Sequence, residues 1–230
     1  KNRIIAAPTG MMDLTPDGRL TALDASYFEL KAMGGAAVVT LGESIVDSQT
    51  GESHNRQVHM DDPESMPGLT HTAMAIKRHG ALANIELSHG GKWGGLNSIA
   101  GEGTSSRTSY GPSEEVLSTG EHVHEMPKEM ILDIVKKWGI AAKRAKDCGF
   151  DMVMIHAGHG WLFNQFLSPT QNRRSDEFGG SFENRARFLM MSLDEVRKNV
   201  GSRFPIELRM NGDDYMEGGM TQKDCIELAK

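Results

Sequence analysis

The sequence predicts an α/β fold of the (β/α)8 or TIM-barrel class, of which this chain would contain about the first five β/α units. Short apolar runs alternate five times with longer stretches of helical period along the 230 residues. The apolar runs lack a polar face, which indicates strands buried on both faces in a parallel sheet that helices cover. The longest connections follow the ends of predicted strands, at Leu41, Leu87 and Ile155. Barrels build their active sites from such loops.

Five strands are predicted where apolar and often β-branched residues follow one another. They are residues 3–7, 36–41, 82–87, 152–155 and 205–210. The second and fourth read AAVVTL and MVMI. Such continuous apolar runs are typical of strands that are buried on both faces.

Five helices are predicted where apolar residues recur at helical spacing. They are residues 25–33, 69–79, 129–148, 184–200 and a last helix that opens at Thr221. The third helix keeps Ile131, Ile134 and Trp138 on one face. Gly149 would end it, since glycine commonly follows a helix. The last helix would begin with a capping box between Thr221 and Asp224.

An open, doubly wound sheet is the alternative arrangement for the same alternation. No G-x-G-x-x-G fingerprint follows the first predicted strand, so a dinucleotide-binding sheet of that kind loses support. A closed barrel needs eight units. We therefore expect residues 1–230 to form one incomplete barrel domain whose last strands lie outside this sequence.

Composition argues against several classes of partner. The formal net charge is -6, so no basic field would attract nucleic acid or an anionic membrane. No apolar run approaches the ~20 residues that a membrane-spanning helix needs. Cys148 and Cys225 each fall late in a predicted helix, and we expect buried thiols instead of a disulfide. The first residues show no secretory signal, and the sequence therefore predicts a cytoplasmic protein.

Two histidines three positions apart, His156 and His159, follow the fourth predicted strand. At a strand-to-loop turn both could point into the mouth of a barrel, where neutral imidazoles can donate hydrogen bonds to a carbonyl or an anion. A histidine that only caps a strand end is the structural alternative. A zinc site would need a third ligand such as His89, and no H-E-x-x-H or paired C-x-x-C motif is present. We therefore expect no metal site.

Two charged residues fall near the ends of apolar strands. Glu86 closes the third strand, from which it could reach a cofactor ring, and a solvated charge at a loop entrance is the alternative. Arg209 lies within the fifth strand between apolar neighbours and needs a partner. Glu207 shares its face and could form a structural ion pair. Otherwise Arg209 would lie against a bound anion or an electron-rich ring.

The most distinctive motifs of the sequence lie between residues 156 and 185. They read His156-x-x-His159-Gly-Trp-Leu, then Gln165-Phe-Leu-Ser-Pro, then Asn172-Arg-Arg-Ser-Asp-Glu-Phe-Gly-Gly-Ser-Phe-Glu-Asn-Arg185. This pattern resembles the old yellow enzyme family of FMN oxidoreductases. It is most similar to the branch with 2,4-dienoyl-CoA reductase, trimethylamine dehydrogenase and the clostridial enoate and bile-acid enone reductases. Residues 1–4 and the turn at 218–221 fit the same family, which implies a (β/α)8 barrel.

The resemblance also implies FMN at the C-terminal mouth of the barrel. The implied cofactor-binding residues are Pro8, Thr9, Gly10, Gly42, Glu43, Glu86 and Arg209. The first three would line the flavin through their backbone. Arg209 would lie by the pyrimidine edge and stabilise negative charge on the reduced ring. Glu86 occupies a position where the family usually has glutamine, and Gly10 one where relatives often carry threonine or cysteine.

The implied catalytic positions are His156, His159 and Trp161. The two histidines would bind the activating carbonyl of a substrate, or a phenolate, so that the β-carbon accepts hydride from the flavin. Trp161 occupies the position of the family's usual tyrosine proton donor, and an indole N–H is not a practical acid. Another group or water would then deliver the proton, unless the reaction needs none there.

The activity implied by the resemblance is an NAD(P)H-fed transfer of hydride from reduced FMN to an activated C=C bond of a small enone or enoate. An amine or demethylating dehydrogenase on the same barrel is the alternative, because it would not need the tyrosine acid. An inactive barrel fragment and a zinc hydrolase are further alternatives. A [4Fe-4S] cluster and FAD are implied only for a longer parent protein, and an oligomer is compatible with the family.

Two features of substrate and cofactor binding would depend on other parts of the protein. Substrate choice would depend on the long loop at residues 88–127 and on further strands. The FMN phosphate normally binds after strands seven and eight of a barrel. We therefore expect this chain alone to hold FMN weakly and to show little activity.

Overall fold

A computed structural model of the chain describes residues 2–11, 13–95 and 108–230. Lys1, Met12 and residues 96–107, which form part of the predicted substrate loop, lie outside the described residues. The strands, in chain order, are β1 (Ile5–Thr9), β2 (Val38–Ile45), β3 (Val58–His59), β4 (Leu82–Ser88), β5 (Ser109–Gly111), β6 (Glu115–Val116), β7 (His122–Glu125), β8 (Met152–Ala157) and β9 (Ile206–Met210).

The main sheet has the strand order expected of a barrel wall. Its strands are all parallel and run in the order β1-β2-β4-β8-β9, with β3 paired to β2. Each β/α unit thus adds its strand beside the preceding one, whereas a doubly wound sheet reverses direction at a switch point. The described residues therefore form a parallel half-barrel of five units.

Helices cover the outside of this sheet. They are α1 (Ala22–Met33), α2 (Ser48–Gly51), α3 (Met66–Lys77), α4 (Lys128–Asp147), α5 (Leu162–Leu167), α6 (Phe182–Val200) and α7 (Gln222–Leu228), with short 3-10 helices at Pro63–Ser65 and Gly91–Trp93. α1 packs against α3, and α4 against α6. The capping box at Thr221 is confirmed, and Thr21 forms a second one at the start of α1. Of the helices in the described ranges, none is long and apolar enough to cross a membrane.

All five predicted strands are present, but most run further toward the C-terminal edge than their apolar sequence indicates. β2 continues through Gly42 and Glu43 to Ile45, and β8 continues through His156. The reason is that backbone pairing extends a strand regardless of side-chain polarity. The register of β1 shifts between Ala6 and Thr9, around a proline that cannot donate to the ladder. β2 has a second irregularity between Leu41 and Ser44.

A small second sheet is not among the predicted elements. In it, β7 pairs parallel to β5 and antiparallel to β6. Its strands contain only two to four residues each, which is too short for a period-2 pattern to show. Helix α5 is not among the predicted helices either, because it is buried along its whole length and so has no polar face that would reveal an amphipathic helix.

An aromatic cluster fixes the loop segment that follows β8. Phe163 of α5 packs against Trp138 of α4 with ring centroids 4.7 Å apart, and it meets Phe188 of α6 edge-on at 5.1 Å. Phe166 meets the same Phe188 at 4.9 Å. Phe188 therefore joins both aromatic residues of α5 to the scaffold. The two cysteines, Cys148 and Cys225, are buried free thiols, as predicted.

We predict that Phe188→Ala destabilises the protein by about 3–5 kcal/mol, because it leaves a cavity beneath α5. Urea unfolding measures this change. Met190→Ala is the matched control on the same helix, since Met190 is 49% exposed, and it should change stability by about 0.5 kcal/mol or less. Equal effects of the two substitutions would show that α5 is not anchored through Phe188.

Candidate active site

The C-terminal ends of the five main strands bring polar residues together at one edge of the sheet. Because neighbouring strands are parallel and in chain order, residues at corresponding depths lie side by side. Thr9, Glu43, Glu86, His156 and Arg209 come from β1, β2, β4, β8 and β9 respectively. His156 and Arg209 are direct partners in the ladder between β8 and β9. The sequence therefore placed these residues on the correct edge.

Glu86 and Arg209 form the central ion pair of this edge. Nη1 of Arg209 donates to Oε1 of Glu86 at 2.9 Å, and the Glu86 side chain is only 3% exposed. The alternative pairing of Arg209 with Glu207 is wrong. Although Glu207 shares the face of Arg209, its carboxylate accepts from Nδ2 of Asn84 at 3.0 Å. Glu86 is therefore a buried group, not a solvated charge at a loop entrance.

The two histidines form a contacting pair next to Glu86. Nε2 of His156 lies 3.3 Å from Nδ1 of His159, and Nδ1 of His156 lies 3.8 Å from Oε1 of Glu86. His156 is buried and His159 is exposed. Within the described part of the chain, Nδ1 of His156 has no hydrogen-bond partner. A buried ring nitrogen without a partner is unusual, and it marks a place where a further group can bind.

Burial controls the protonation of these residues. Burial lowers the pKa of His156 to about 3, and the nearby His159 ring and Arg209 guanidinium act in the same direction. Burial and Arg209 also lower the pKa of His159. Both imidazoles are therefore neutral at pH 7. Burial raises the pKa of Glu86, even though Arg209 and the backbone N–H of Glu43 act in the opposite direction.

Backbone strain is concentrated at this edge. Glu43 and His159 have φ values of 51° and 56°, in the left-handed region that non-glycine residues rarely occupy. Each such residue costs about 1–3 kcal/mol and persists only where its surroundings hold it. Oδ1 of Asn211 accepts from the His159 N–H at 2.9 Å, and Oδ1 of Asn164 accepts from the Gly160 N–H at 2.8 Å. Neither asparagine is among the site residues that the sequence predicts.

At the ends of β1 and β2, glycines leave the backbone without side-chain cover. A Cβ on Gly42 would lie 2.7 Å from both N and O of Thr9, so only glycine permits this close approach. A Cβ on Gly10 would approach no atom closer than 3.6 Å, to Oε1 of Glu43. Pro8 lies within β1. The Thr9 hydroxyl accepts from Nζ of Lys31 at 2.6 Å, which fixes the threonine through its side chain.

Two tryptophans border the histidine pair. Trp161 is half-buried at the start of α5, and its ring centroid lies 6.2 Å from that of His156. Nε1 of Trp93 donates to the Gly160 carbonyl at 3.1 Å, a contact that sequence analysis missed. The turn that carries His159 is therefore held from the loops after both β4 and β8.

His89 does not join the histidine pair, so the zinc-hydrolase alternative loses its third ligand. Its Nδ1 accepts from the Gly91 N–H at 3.0 Å, and its Nε2 lies 3.1 Å from Oγ1 of Thr50. In the ranges that the structure describes, His89 belongs to no cluster of ligand atoms close enough to share a metal. Burial lowers its pKa to about 4, against the charge of Asp47. His89 is a neutral structural residue.

The segment at residues 172–185 supports the site as scaffold. Nδ2 of Asn172 donates to the carbonyls of Phe166 and Phe178 at 2.7 Å each. Arg174 pairs with Asp176 at 2.6 Å. Nε of Arg185 donates to the Leu167 carbonyl at 2.7 Å. These bonds hold the C-terminal end of α5.

Comparison with known proteins gives one family. The profile described as the NADH:flavin oxidoreductase / NADH oxidase family matches residues 1–230. An NADPH dehydrogenase of Geobacillus sp. (strain WCH70) is 35% identical over 231 residues, which cover 100% of this chain and 65% of that protein. This chain therefore spans less than two thirds of that relative.

Two solved structures have a similar fold. The complex of 2-naphthoyl-CoA reductase with 2-naphthoyl-CoA matches with a TM-score of 0.91 and 30% identity, covering 100% of this chain and 36% of that one. The histamine dehydrogenase of Rhizobium sp. 4-9 matches with a TM-score of 0.86 and 26% identity, covering 100% and 33% of the two chains. This chain thus shares the fold of about a third of each of those two chains.

We predict that the fold loses stability as the pH falls from about 6.5 to about 4. In this window the unfolded chain binds protons at His89 and His156 that the folded chain excludes. For His89 the full loss is on the order of 3 kcal/mol. Urea unfolding at several pH values measures it. His89→Asn should reduce the slope, and His71→Asn, at an exposed position, should not. A wild-type slope in His89→Asn would contradict this assignment.

Proposed function

Because this chain belongs to the NADH:flavin oxidoreductase / NADH oxidase family, we propose that it forms the catalytic part of an FMN-dependent enzyme. In this proposal the enzyme is fed by NADH or NADPH and reduces an activated C=C bond in a small enone or enoate. The observation that carries the proposal is the neutral pair His156 and His159, in contact at 3.3 Å beside the Glu86–Arg209 ion pair.

The histidine pair is suited to bind a carbonyl oxygen. A neutral imidazole has one N–H donor and one acceptor nitrogen. Each ring can therefore donate one N–H to a carbonyl oxygen that binds beside the 3.3 Å contact between Nε2 of His156 and Nδ1 of His159. Donors aimed at a carbonyl oxygen stabilise the negative charge that develops there when the β-carbon accepts hydride.

The residues at the strand ends fit an isoalloxazine ring. Nδ1 of His156 is a buried ring nitrogen without a partner in the described part of the chain. The Arg209 side chain is 35% exposed and bonds to Glu86 through Nη1, so its other N–H groups can face an electron-rich ring. Gly10 and Gly42, with the backbone of Pro8 and Thr9, would let the ring approach the backbone closely. When bound, FMN supplies the transfer of hydride between NAD(P)H and the substrate.

Glu86 gives this site a pH-dependent donor. A glutamine at this position would always offer an N–H to a ring oxygen, whereas a glutamic acid offers an O–H only while it is protonated. Burial raises the pKa of Glu86, so the protonated form persists to higher pH than for an exposed carboxyl. We propose that Glu86 contacts the flavin in this form, in which its Oε1 still accepts from Nη1 of Arg209.

A second candidate activity is the oxidation of an amine on the same barrel. It is favoured by Trp161, whose indole N–H can orient a ligand but cannot deliver a proton. One structural relative is a histamine dehydrogenase. Anaerobic mixing separates the two activities. An amine substrate would reduce oxidised FMN and bleach its yellow colour, whereas an enone would reoxidise reduced FMN and bring that colour back.

We predict that His156→Ala and His159→Ala each lower kcat/KM for a cyclic enone by about 10²–10³-fold, the effect of losing one aimed donor. The measurement is steady-state reduction by the FMN-loaded protein that contains this chain. His159→Asn, which keeps a donor, should recover part of the rate. Exposed His71→Ala is the control. Unchanged enone reduction in both alanine variants would rule out the proposed role.

We predict that FMN affinity falls as the pH rises through the titration of Glu86, because ionisation removes its O–H donor and adds a negative charge beside the ring. In Glu86→Gln the affinity should not vary in that range. Quenching of FMN fluorescence, measured from acid to alkaline pH, tests this without turnover. Identical pH dependence in the wild type and the variant would disprove contact between Glu86 and the flavin.

A further inference from the structure

The small sheet carries a cluster of metal-binding side chains outside the candidate active site. His122 and His124 are two residues apart on β7, so their side chains share one face, and their ring centroids lie 4.4 Å apart. Glu114, just before β6, lies opposite them. One nitrogen from each imidazole and one carboxylate oxygen all lie within 4.8 Å of one another.

The carboxylate is placed between the two imidazoles. Oε2 of Glu114 lies 3.2 Å from Nε2 of His122, and Oε1 lies 3.7 Å from Nδ1 of His124. Two ligands bound to one tetrahedral zinc ion at ~2.0–2.1 Å lie roughly 3.3 Å apart. Small rotations of these half-exposed side chains would therefore bring the three ligand atoms around one ion.

Two hydrogen bonds from outside the cluster hold Glu114 in position. The backbone N–H of Glu125 donates to its Oε1 at 3.1 Å, which anchors the carboxylate to β7. Nη2 of Arg173 donates to its backbone carbonyl at 2.6 Å. The carboxylate is thus oriented before any ion arrives, which lowers the entropy lost when a ligand set closes on a metal.

We propose that Glu114, His122 and His124 bind a divalent transition-metal ion of the zinc class. Two imidazole nitrogens and one carboxylate oxygen suit Zn²⁺, whereas Mg²⁺ and Ca²⁺ prefer oxygen ligands throughout. Three protein ligands leave a coordination position for water. The site differs from the zinc alternative considered at the active-site edge, and no short zinc motif reveals it because Glu114 and the histidines meet only through the pairing of β6 with β7.

The metal would stabilise the small sheet, which packs on the loops beside the candidate active site. It would join the turn before β6 to β7 on the small sheet. That sheet contacts the loop after β4, because Nζ of Lys92 pairs with Glu115 at 3.0 Å. The backbone N–H of Lys92 in turn donates to Oε1 of Gln165 in α5, at 3.0 Å. Metal binding should therefore raise the melting temperature of the protein.

Calorimetric titration of the chelator-treated protein with Zn²⁺ tests the proposal. We expect one Zn²⁺ per chain and a rise in melting temperature. His122→Ala and His124→Ala should each weaken binding at least 10-fold, and Glu114→Gln should weaken it as well. His71→Ala is the control, since His71 is an exposed histidine on α3, and it should bind Zn²⁺ as the wild type does.

Visible absorption with Co²⁺ in place of Zn²⁺ provides a second measurement that does not depend on stability. Ligand-field bands that appear with the wild type and vanish in His122→Ala would support the site. Zn²⁺ binding that persists in the His122→Ala/His124→Ala double variant, or no binding by the wild type, would overturn it. Because the cluster is separate from His156 and Arg209, either result leaves the proposed flavin chemistry unaffected.

Discussion

The buried ion pair between Glu86 and Arg209 is the interaction on which the candidate site depends. It joins β4 to β9 across the intervening β8 and brings the carboxyl group against His156. A buried carboxyl group is costly unless it is paired or protonated, and Arg209 supplies the pairing. The same contact fixes the guanidinium at the strand ends, where a planar, electron-rich ligand can meet it.

Several residues at this edge of the sheet have a backbone conformation or a degree of burial that is unusual for their type. Glu43 and His159 have left-handed backbones, Glu86 is a buried carboxyl, and His156 has a buried ring nitrogen without a partner among the described residues. None of these features stabilises the fold by itself. Such features cluster where a protein maintains a geometry for binding or chemistry and are supported by surrounding bonds. Asn211 provides one such bond to the His159 turn.

Much of the fold could be predicted from sequence because the strands and helices are locally encoded. The apolar runs gave the order of units, and strand ends placed His156, Glu86 and Arg209 on one edge. What could not be predicted depends on distant partners. Arg209 pairs with Glu86, 123 positions away, instead of with nearby Glu207. The order and register of the strands determine this choice of partner. The surroundings of His89 depend on a distant partner as well, since Thr50, whose hydroxyl lies 3.1 Å from its Nε2, is 39 positions away.

The central claim is that the strand ends present two neutral imidazoles and one guanidinium to a flavin ring. A crystal structure of the FMN-loaded protein with a bound phenol tests it most directly. The account predicts the ring beside Arg209 and Glu86, with the phenol oxygen within hydrogen-bond distance of His156 and His159. A flavin bound elsewhere, or imidazoles that face away from the phenol, would contradict it.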